Sequence, residues 1–226
     1  MLRTILLCLM LGVLVLGALK WRDLSSRRQD AETNGPTIIK EPVNFTNRTF
    51  DPAMPPPDMP PLNSGEGAEC DSDFLSNASV GGETRQTDAT HATVTVTKIR
   101  ATLQLNITIW VPAGASQHVV EHEAGHRQIS EYYYQTADQL AQRIASSYLG
   151  KQIEIEGADL NAESNNALQQ MATEINDEYK RELDPEPTQL LYEVITNHGR
   201  NEVVARDAAA HAIESIKVES TQPASP

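Results

Sequence analysis

Residues 102–109 alternate strictly between polar and apolar side chains, with Leu103, Leu105, Ile107 and Ile109 as the apolar set. A period of two places successive side chains on opposite faces of a strand. The segment therefore predicts a strand with one buried and one solvated face, as in an antiparallel sheet covered by helices on one side. Because most of the chain downstream has helical periodicity, we expect an α+β fold in which a small antiparallel sheet packs on three or four helices.

A short turn separates this strand from a predicted helix over residues 116–149, with Ser116 as the N-cap and Gly150 as the stop. The helix carries the sequence HEAGH at residues 122–126, an H-E-x-x-H pattern. Histidines four residues apart lie on one helix face, so His122 and His126 are candidate ligands of one metal ion. Glu123 is then placed to take a proton from a metal-bound water. The pattern predicts a zincin-like active-site helix, Zn²⁺ as the cofactor and Glu123 as the catalytic base.

A catalytic zinc site needs a third protein ligand and an open fourth position. His198 precedes Gly199 at a helix-to-turn junction, where the backbone can aim a side chain at a site built elsewhere. Its alternative role is a cap at the end of a helix. Glu163, near the start of a downstream helix, is the rival third ligand. The remaining histidines are interpreted as surface or packing residues: His91, His118 and His211.

The N-terminal end of the chain has the features of a targeting segment. Arg3 precedes an uncharged apolar run over residues 5–19, so residues 1–20 predict a signal peptide or an N-terminal membrane anchor. Eight of the thirteen prolines fall between Pro36 and Pro61, which predicts a disordered linker over residues 30–66. The folded domain is expected over residues 67–218, followed by a disordered tail at 219–226.

Composition restricts the partners and the compartment. The net charge of −13 argues against a nucleic-acid partner, which would need a basic footprint. A basic cluster over residues 20–28 adjoins the apolar run and is typical of a membrane flank, so we expect a periplasmic or secreted protein, with a tether to the inner membrane if the segment is retained. Cys70 is the one thiol expected in the folded domain, which excludes a cysteine-based zinc site.

Two segments together resemble a known family. These are the HEAGH helix with Arg127 after it, and the stretch YEVITNHG at residues 192–199. The chain is similar, over roughly residues 94–206, to a bacterial domain family of unknown function described as predicted secreted zinc-dependent proteases, with its Tyr-acid-x-x-Thr-x-His-Gly motif. Glu193 stands where that family has an aspartate. The resemblance implies a zinc-dependent protease and favours His198 as the third ligand.

The predicted activity is hydrolysis of a peptide or protein substrate by an exported zinc metallopeptidase. Tyr192 could stabilise the oxyanion or simply pack in the core. The strand that ends at Pro112 could bind an extended peptide by edge pairing. Two alternatives remain open: a non-enzymatic exported module in which zinc is structural, and a hydrolase acting on a non-protein amide.

Overall fold

The computed structural model describes residues 35–62 and 66–221, with side chains up to residue 217. The signal peptide or anchor predicted at residues 1–20 lies outside these ranges, as does most of the tail predicted at 219–226. Within the described ranges, no helix is both long enough and apolar enough to cross a membrane.

Five strands and five helices make up the described part of the chain, which confirms the α+β class. The strands are β1 (Thr37–Lys40), β2 (Asn44–Phe50), β3 (Glu69–Gln86), β4 (His91–Pro112) and β5 (Gln152–Glu156). The helices are α1 (Gln117–Gln135), α2 (Ala137–Tyr148), α3 (Leu160–Glu182), α4 (Glu186–Thr196) and α5 (Ala205–Thr221).

The long strand β4 lies at the centre of one mixed sheet. Along one side it pairs antiparallel with β3 over the full length of that strand. Along its other side it pairs with β5 in antiparallel orientation, and then with β1 and β2 in parallel orientation. The expectation of a purely antiparallel sheet is therefore wrong for β1 and β2.

Those two parallel strands come from the segment predicted to be a disordered linker. That prediction is wrong for residues 37–50, which pair with β4. The prolines explain both results: Pro42 falls between the two strands, and the remaining cluster at 52–61 follows β2. The strands themselves are rich in β-branched and aromatic residues, which favour pairing, whereas a composition averaged over residues 30–66 hides them. The folded domain therefore includes residues upstream of the predicted start at 67.

The alternating pattern correctly identifies the face of β4 that meets the helices. Leu103, Leu105 and Ile107 are almost completely buried in the main core. The predicted helix over 116–149 is divided at Thr136 into α1 and α2. Its two ends are as expected, because Ser116 caps α1 by accepting a hydrogen bond from the Val119 amide and Gly150 has a φ of +79°.

A second, smaller core fixes α4 and α5 against α1. It contains Ile129 of α1 and Tyr192 of α4, together with a row of buried alanines on α5. Small side chains let helix axes approach closely, since interaxial distance follows the size of the residues at the contact. On its other side α1 meets β3, where the Ser130 hydroxyl donates to the Ser72 hydroxyl at 2.9 Å. The helix with the HEAGH sequence thus lies between α4 and β3.

Candidate metal centre

Three side chains from two helices converge beside β3. His122 and His126 of α1 and Glu193 of α4 each offer a ligand atom, and these atoms lie within 4.8 Å of one another. Nε2 of His122 is 3.2 Å from Oε1 of Glu193, and Nε2 of His126 contacts the same oxygen. The two histidines are thus brought together as their spacing predicts, and the third member of the group is Glu193.

Gln189 orients the ring of His126. Its Oε1 lies 2.7 Å from Nδ1 of His126, while its Nε2 donates to the His126 carbonyl and to the Ser130 hydroxyl, each at 3.2 Å. Because the amide nitrogen is engaged by two acceptors, the amide oxygen must face the ring. An amide oxygen only accepts, so Nδ1 carries the proton and a neutral His126 has its lone pair on Nε2.

This arrangement is suited to a cation. The lone pair on Nε2 of His126 faces a carboxylate oxygen of Glu193, which is also an acceptor. Two acceptors this close repel each other unless a proton or a metal ion lies between them. Nε2 of His122 is a third possible metal-ligand atom, 3.2 Å from the same carboxylate oxygen. Two imidazoles and one carboxylate form a ligand set that Zn²⁺ accepts in catalytic sites, with Gln189 in the supporting role that outer-shell partners take.

Tyr192 holds the two histidines from behind. Its ring stacks on His122 at 5.2 Å and meets His126 edge-on at 4.8 Å. Its hydroxyl is fully buried and donates to the His122 carbonyl at 2.8 Å. A hydroxyl so placed is not directed at the substrate side, so of the two predicted roles Tyr192 takes core packing. The same contact explains Gly125, since a Cβ there would overlap the Tyr192 hydroxyl.

The turn after α4 packs on the other ligand helix. Gly199 has a φ of +65°, and a Cβ on it would lie 3.0 Å from Cγ of His122. Nε2 of His118 donates a hydrogen bond to the Gly199 carbonyl at 2.8 Å, so His118 fixes this turn and lies outside the group of three. Asn197 and His198 both have left-handed φ values, 49° and 55°, which are uncommon outside glycine and often mark functional sites.

The two predicted third ligands lie in different places. His198 borders the group: its Nδ1 is 2.9 Å from Oε2 of Glu193, and its side chain is 52% exposed. Glu163 lies beside Gly157 at the other end of β3, next to Ser164, whose hydroxyl contacts that of Thr84 at 2.7 Å. That position is about a dozen residues along the strand from the centre, so Glu163 does not reach it.

Sequence reasoning passed over Glu193 as a ligand. It appeared only as the acidic position of the YEVITNHG stretch. The signal that could have found it is the α4 periodicity, because Gln189 and Glu193 are four residues apart and therefore share a face. Burial works to raise the pKa of the Glu193 carboxyl, but the contacts with His122 and His126 outweigh it and hold that pKa below its ordinary value.

Glu123 is separate from the three converging groups. It is 5% exposed, it lines the cleft next to them, and no described residue gives it a hydrogen bond or an ion pair. Burial is the main cause that raises the pKa of this carboxyl to about 7. A general base works best when its pKa is near the operating pH. The position and the pKa therefore both suit Glu123 to proton transfer inside the cleft.

The cleft has a volume of about 770 Å³ and is bounded by α1, α4, the 197–199 turn and the start of β3. Glu69, Cys70, Asp71 and Ser72 all line it. Because successive strand side chains point to opposite faces, a run in which every residue borders the cleft must present its hydrogen-bonding edge to it. Among the described strands only β4 pairs with β3, so this edge is open. Further along, Asn176 of α3 covers the edge at Ala78.

The prediction that β4 offers an edge for a bound peptide is therefore wrong. The strand ending at Pro112 has partners along both sides and has no free edge to offer. Cys70 is a free thiol in the cleft wall, and burial raises its pKa to about 12, which keeps it neutral. His91 pairs with Asp88, and His211 is exposed on α5, both away from the cleft.

No protein-family model, curated protein or solved structure matches this chain.

Proposed function

We propose that the protein is an exported, zincin-like zinc metallopeptidase whose metal is held by His122, His126 and Glu193. The observation that carries the proposal is the convergence of three possible ligand atoms within 4.8 Å, with the buried carboxylate of Glu123 beside them in an open cleft. Export rests on the apolar N-terminal sequence alone. The resemblance to predicted secreted zinc-dependent proteases points to the same activity.

Each residue at the centre has a distinct part in this proposal. Bound zinc would polarise a scissile carbonyl and lower the pKa of its water towards about 7. Glu123 accepts the proton of the attacking water and passes it to the leaving amine. Gln189 keeps the proton of His126 on Nδ1, so that Nε2 remains a ligand. His198 borders the cleft with its Nδ1 2.9 Å from the second oxygen of Glu193, so we assign it a place beside that ligand.

The open edge of β3 gives the substrate a place to bind. An extended peptide that pairs with residues 69–72 lies along the cleft wall, next to Glu123 and the ligand histidines. Backbone pairing supplies affinity without regard to sequence, and alternate side chains supply specificity. The β3 edge thus favours a peptide over a compact small molecule as the substrate.

The direct test compares Glu123→Gln with Glu121→Gln in peptide cleavage and in zinc content. Glu121 is the matched control, because it is an exposed carboxylate one residue before His122 and accepts a hydrogen bond from Gln117. We expect Glu123→Gln to keep about one zinc per chain and to lose at least about 100-fold in kcat/KM, the usual share of a general base. Glu121→Gln should match the wild type.

Two results would contradict the proposal. If the wild-type protein contains no zinc after purification in zinc-containing buffer, the proposed metal centre is refuted. Zinc retained by a wild-type protein that cleaves no peptide in a broad library would favour the alternative, a non-enzymatic exported zinc-containing binding module.

A further inference from the structure

The cleft wall carries several carboxylates and, apart from three histidines, no basic side chain among the residues that the structure describes. Among the described residues that line it there is no lysine or arginine, and its acidic residues are Glu66, Glu69, Asp71, Glu123, Glu186 and Glu193. The proposed centre uses Glu123 and Glu193. Three further carboxylates on the wall, those of Glu69, Asp71 and Glu186, do not belong to the group of three converging ligands. The wall therefore has an excess of negative charge that the catalytic role leaves unused.

Some acidic side chains elsewhere on the domain have basic partners. Asp138 pairs with Lys40 at 2.9 Å and Glu131 with Arg127 at 2.7 Å. No described lysine or arginine forms an ion pair with the cleft residues Glu69, Asp71 or Glu186. Burial raises the pKa of Glu69, and neighbouring Glu66 raises it further. Concave walls with one sign of charge concentrate ions of the opposite sign, because the surrounding protein has a low dielectric constant.

A second observation points to a ligand in this cleft. Glu123 is only 5% exposed, lines the cleft and has no hydrogen-bond partner among the described residues. A buried carboxylate without a partner costs free energy, which a bound donor or cation recovers. The open β3 edge lies beside it and fits an extended chain. The cleft thus combines an unpartnered buried carboxylate, a free strand edge and an acidic rim.

The spacing of Glu69 and Asp71 on β3 suits them to bind peptide side chains at alternate positions. Glu69 and Asp71 are two residues apart on β3, so they lie on the same face of the strand. A peptide added to the β3 edge has its own side chains at the same period, and cross-strand neighbours on one face are close enough to form ion pairs. Cations at positions i and i+2 of the peptide would meet both carboxylates, whereas adjacent cations would point to opposite faces.

We propose that the cleft selects extended cationic peptides with lysine or arginine at alternate positions, and that Glu69 and Asp71 determine this specificity. This inference rests on the proposed function for its catalytic readout. Its binding readout is independent, because a peptide can occupy the cleft whether or not it is cleaved.

The experiment uses the full chain and four fluorescent peptides of equal length. One has two lysines at i and i+2, one has the same two lysines adjacent, one has glutamates at i and i+2, and one has glutamines there. Binding is measured by anisotropy with the Glu123→Gln protein, and kcat/KM with the wild type. We expect the alternate-lysine peptide to exceed the glutamate peptide by at least about tenfold, with a difference that shrinks between about 50 mM and about 500 mM salt.

Charge-reversed variants identify the residues responsible. Glu69→Lys combined with Asp71→Lys should invert the preference towards the glutamate peptide, and the milder Glu69→Gln with Asp71→Asn should abolish it without inverting it. Asp73→Lys is the matched control, because Asp73 is exposed on the same strand and face but does not line the cleft. Circular dichroism and zinc content check that each variant is folded.

The outcomes separate this inference from the proposed function. Equal binding of the lysine and glutamate peptides overturns the inference. An effect of Asp73→Lys as large as that of the Glu69 and Asp71 substitutions also overturns it, because the preference would then follow from the net charge of the protein alone. Equal binding of the alternate-lysine and adjacent-lysine peptides overturns the inference that the cleft selects lysines at alternate positions. If the alternate-lysine peptide binds selectively but no peptide is cleaved, the inference stands and the proposed peptidase activity fails.

Discussion

Gly125→Ala tests whether Tyr192 fixes the geometry of the ligand helix. A Cβ at residue 125 would overlap the Tyr192 hydroxyl and Cζ and would lie 2.9 Å from Cε2. The Tyr192 ring is fully buried, and its hydroxyl is held by the His122 carbonyl at 2.8 Å. The ring must therefore move by about 1 Å in a packed environment that offers it no space.

The free energy of unfolding should fall by a few kcal/mol. Forcing a carbon into a packed site costs about 1–3 kcal/mol, and loss of the Tyr192 hydrogen bond costs about 1 kcal/mol more. Alanine has a higher helix propensity than glycine, which stabilises the folded protein by about 1 kcal/mol. The net destabilisation is therefore about 1–3 kcal/mol, which corresponds to a lower Tm by roughly 5 °C for a domain of this size.

The assay is urea denaturation of Gly125→Ala beside Ala124→Gly, an exposed neighbour that reports helix propensity alone. In the Tyr192→Leu background, where the ring is removed, Gly125→Ala should cost much less. We also expect weaker zinc binding by Gly125→Ala, since the displaced ring contacts both histidines. The reasoning is refuted if Gly125→Ala is as stable as the wild type, or if its cost is the same in both backgrounds.

Three further predictions concern the metal centre. Glu193→Gln should weaken zinc binding by more than about tenfold in a chelator competition, while Glu163→Gln should leave it unchanged; the reverse order would exclude the proposed third ligand. Gln189→Leu should weaken zinc binding by about 10–100-fold, and Gln189→Glu should largely restore it, because a carboxylate also accepts from Nδ1; equal loss in both would mean that Gln189 only fills space. Gly199→Ala should lower both Tm and zinc affinity, because it strains a positive φ and presses on His122; an unchanged Tm would contradict this.

The local features of the site were predictable because their physics is local. The pairing of His122 with His126 follows from helical periodicity, which places residues four apart on one face whatever packs around them. The buried face of β4 follows from its alternating pattern in the same way. The ends of the HEAGH helix segment carried their own signals in Ser116 and Gly150.

Features that join distant segments were decided by the tertiary structure. Glu193 becomes the third group only because buried alanines on α5 and Tyr192 on α4 set the position of α4 against α1. Glu163 has equally suitable chemistry, but α3 begins at the far end of β3. The pairing of β1 and β2 with β4 was likewise decided by the tertiary structure, because these strands are short and lie next to prolines, which conceals them in the sequence.

The sequence by itself determined the chemistry available at the centre: two imidazoles on one helix face and a carboxylate beside them. The tertiary structure decided which third group meets the histidines and which strand presents an open edge. The physical reason is that helix and strand periods repeat over a few residues, whereas the distance between α1, α4 and β3 depends on side chains packed from all parts of the chain.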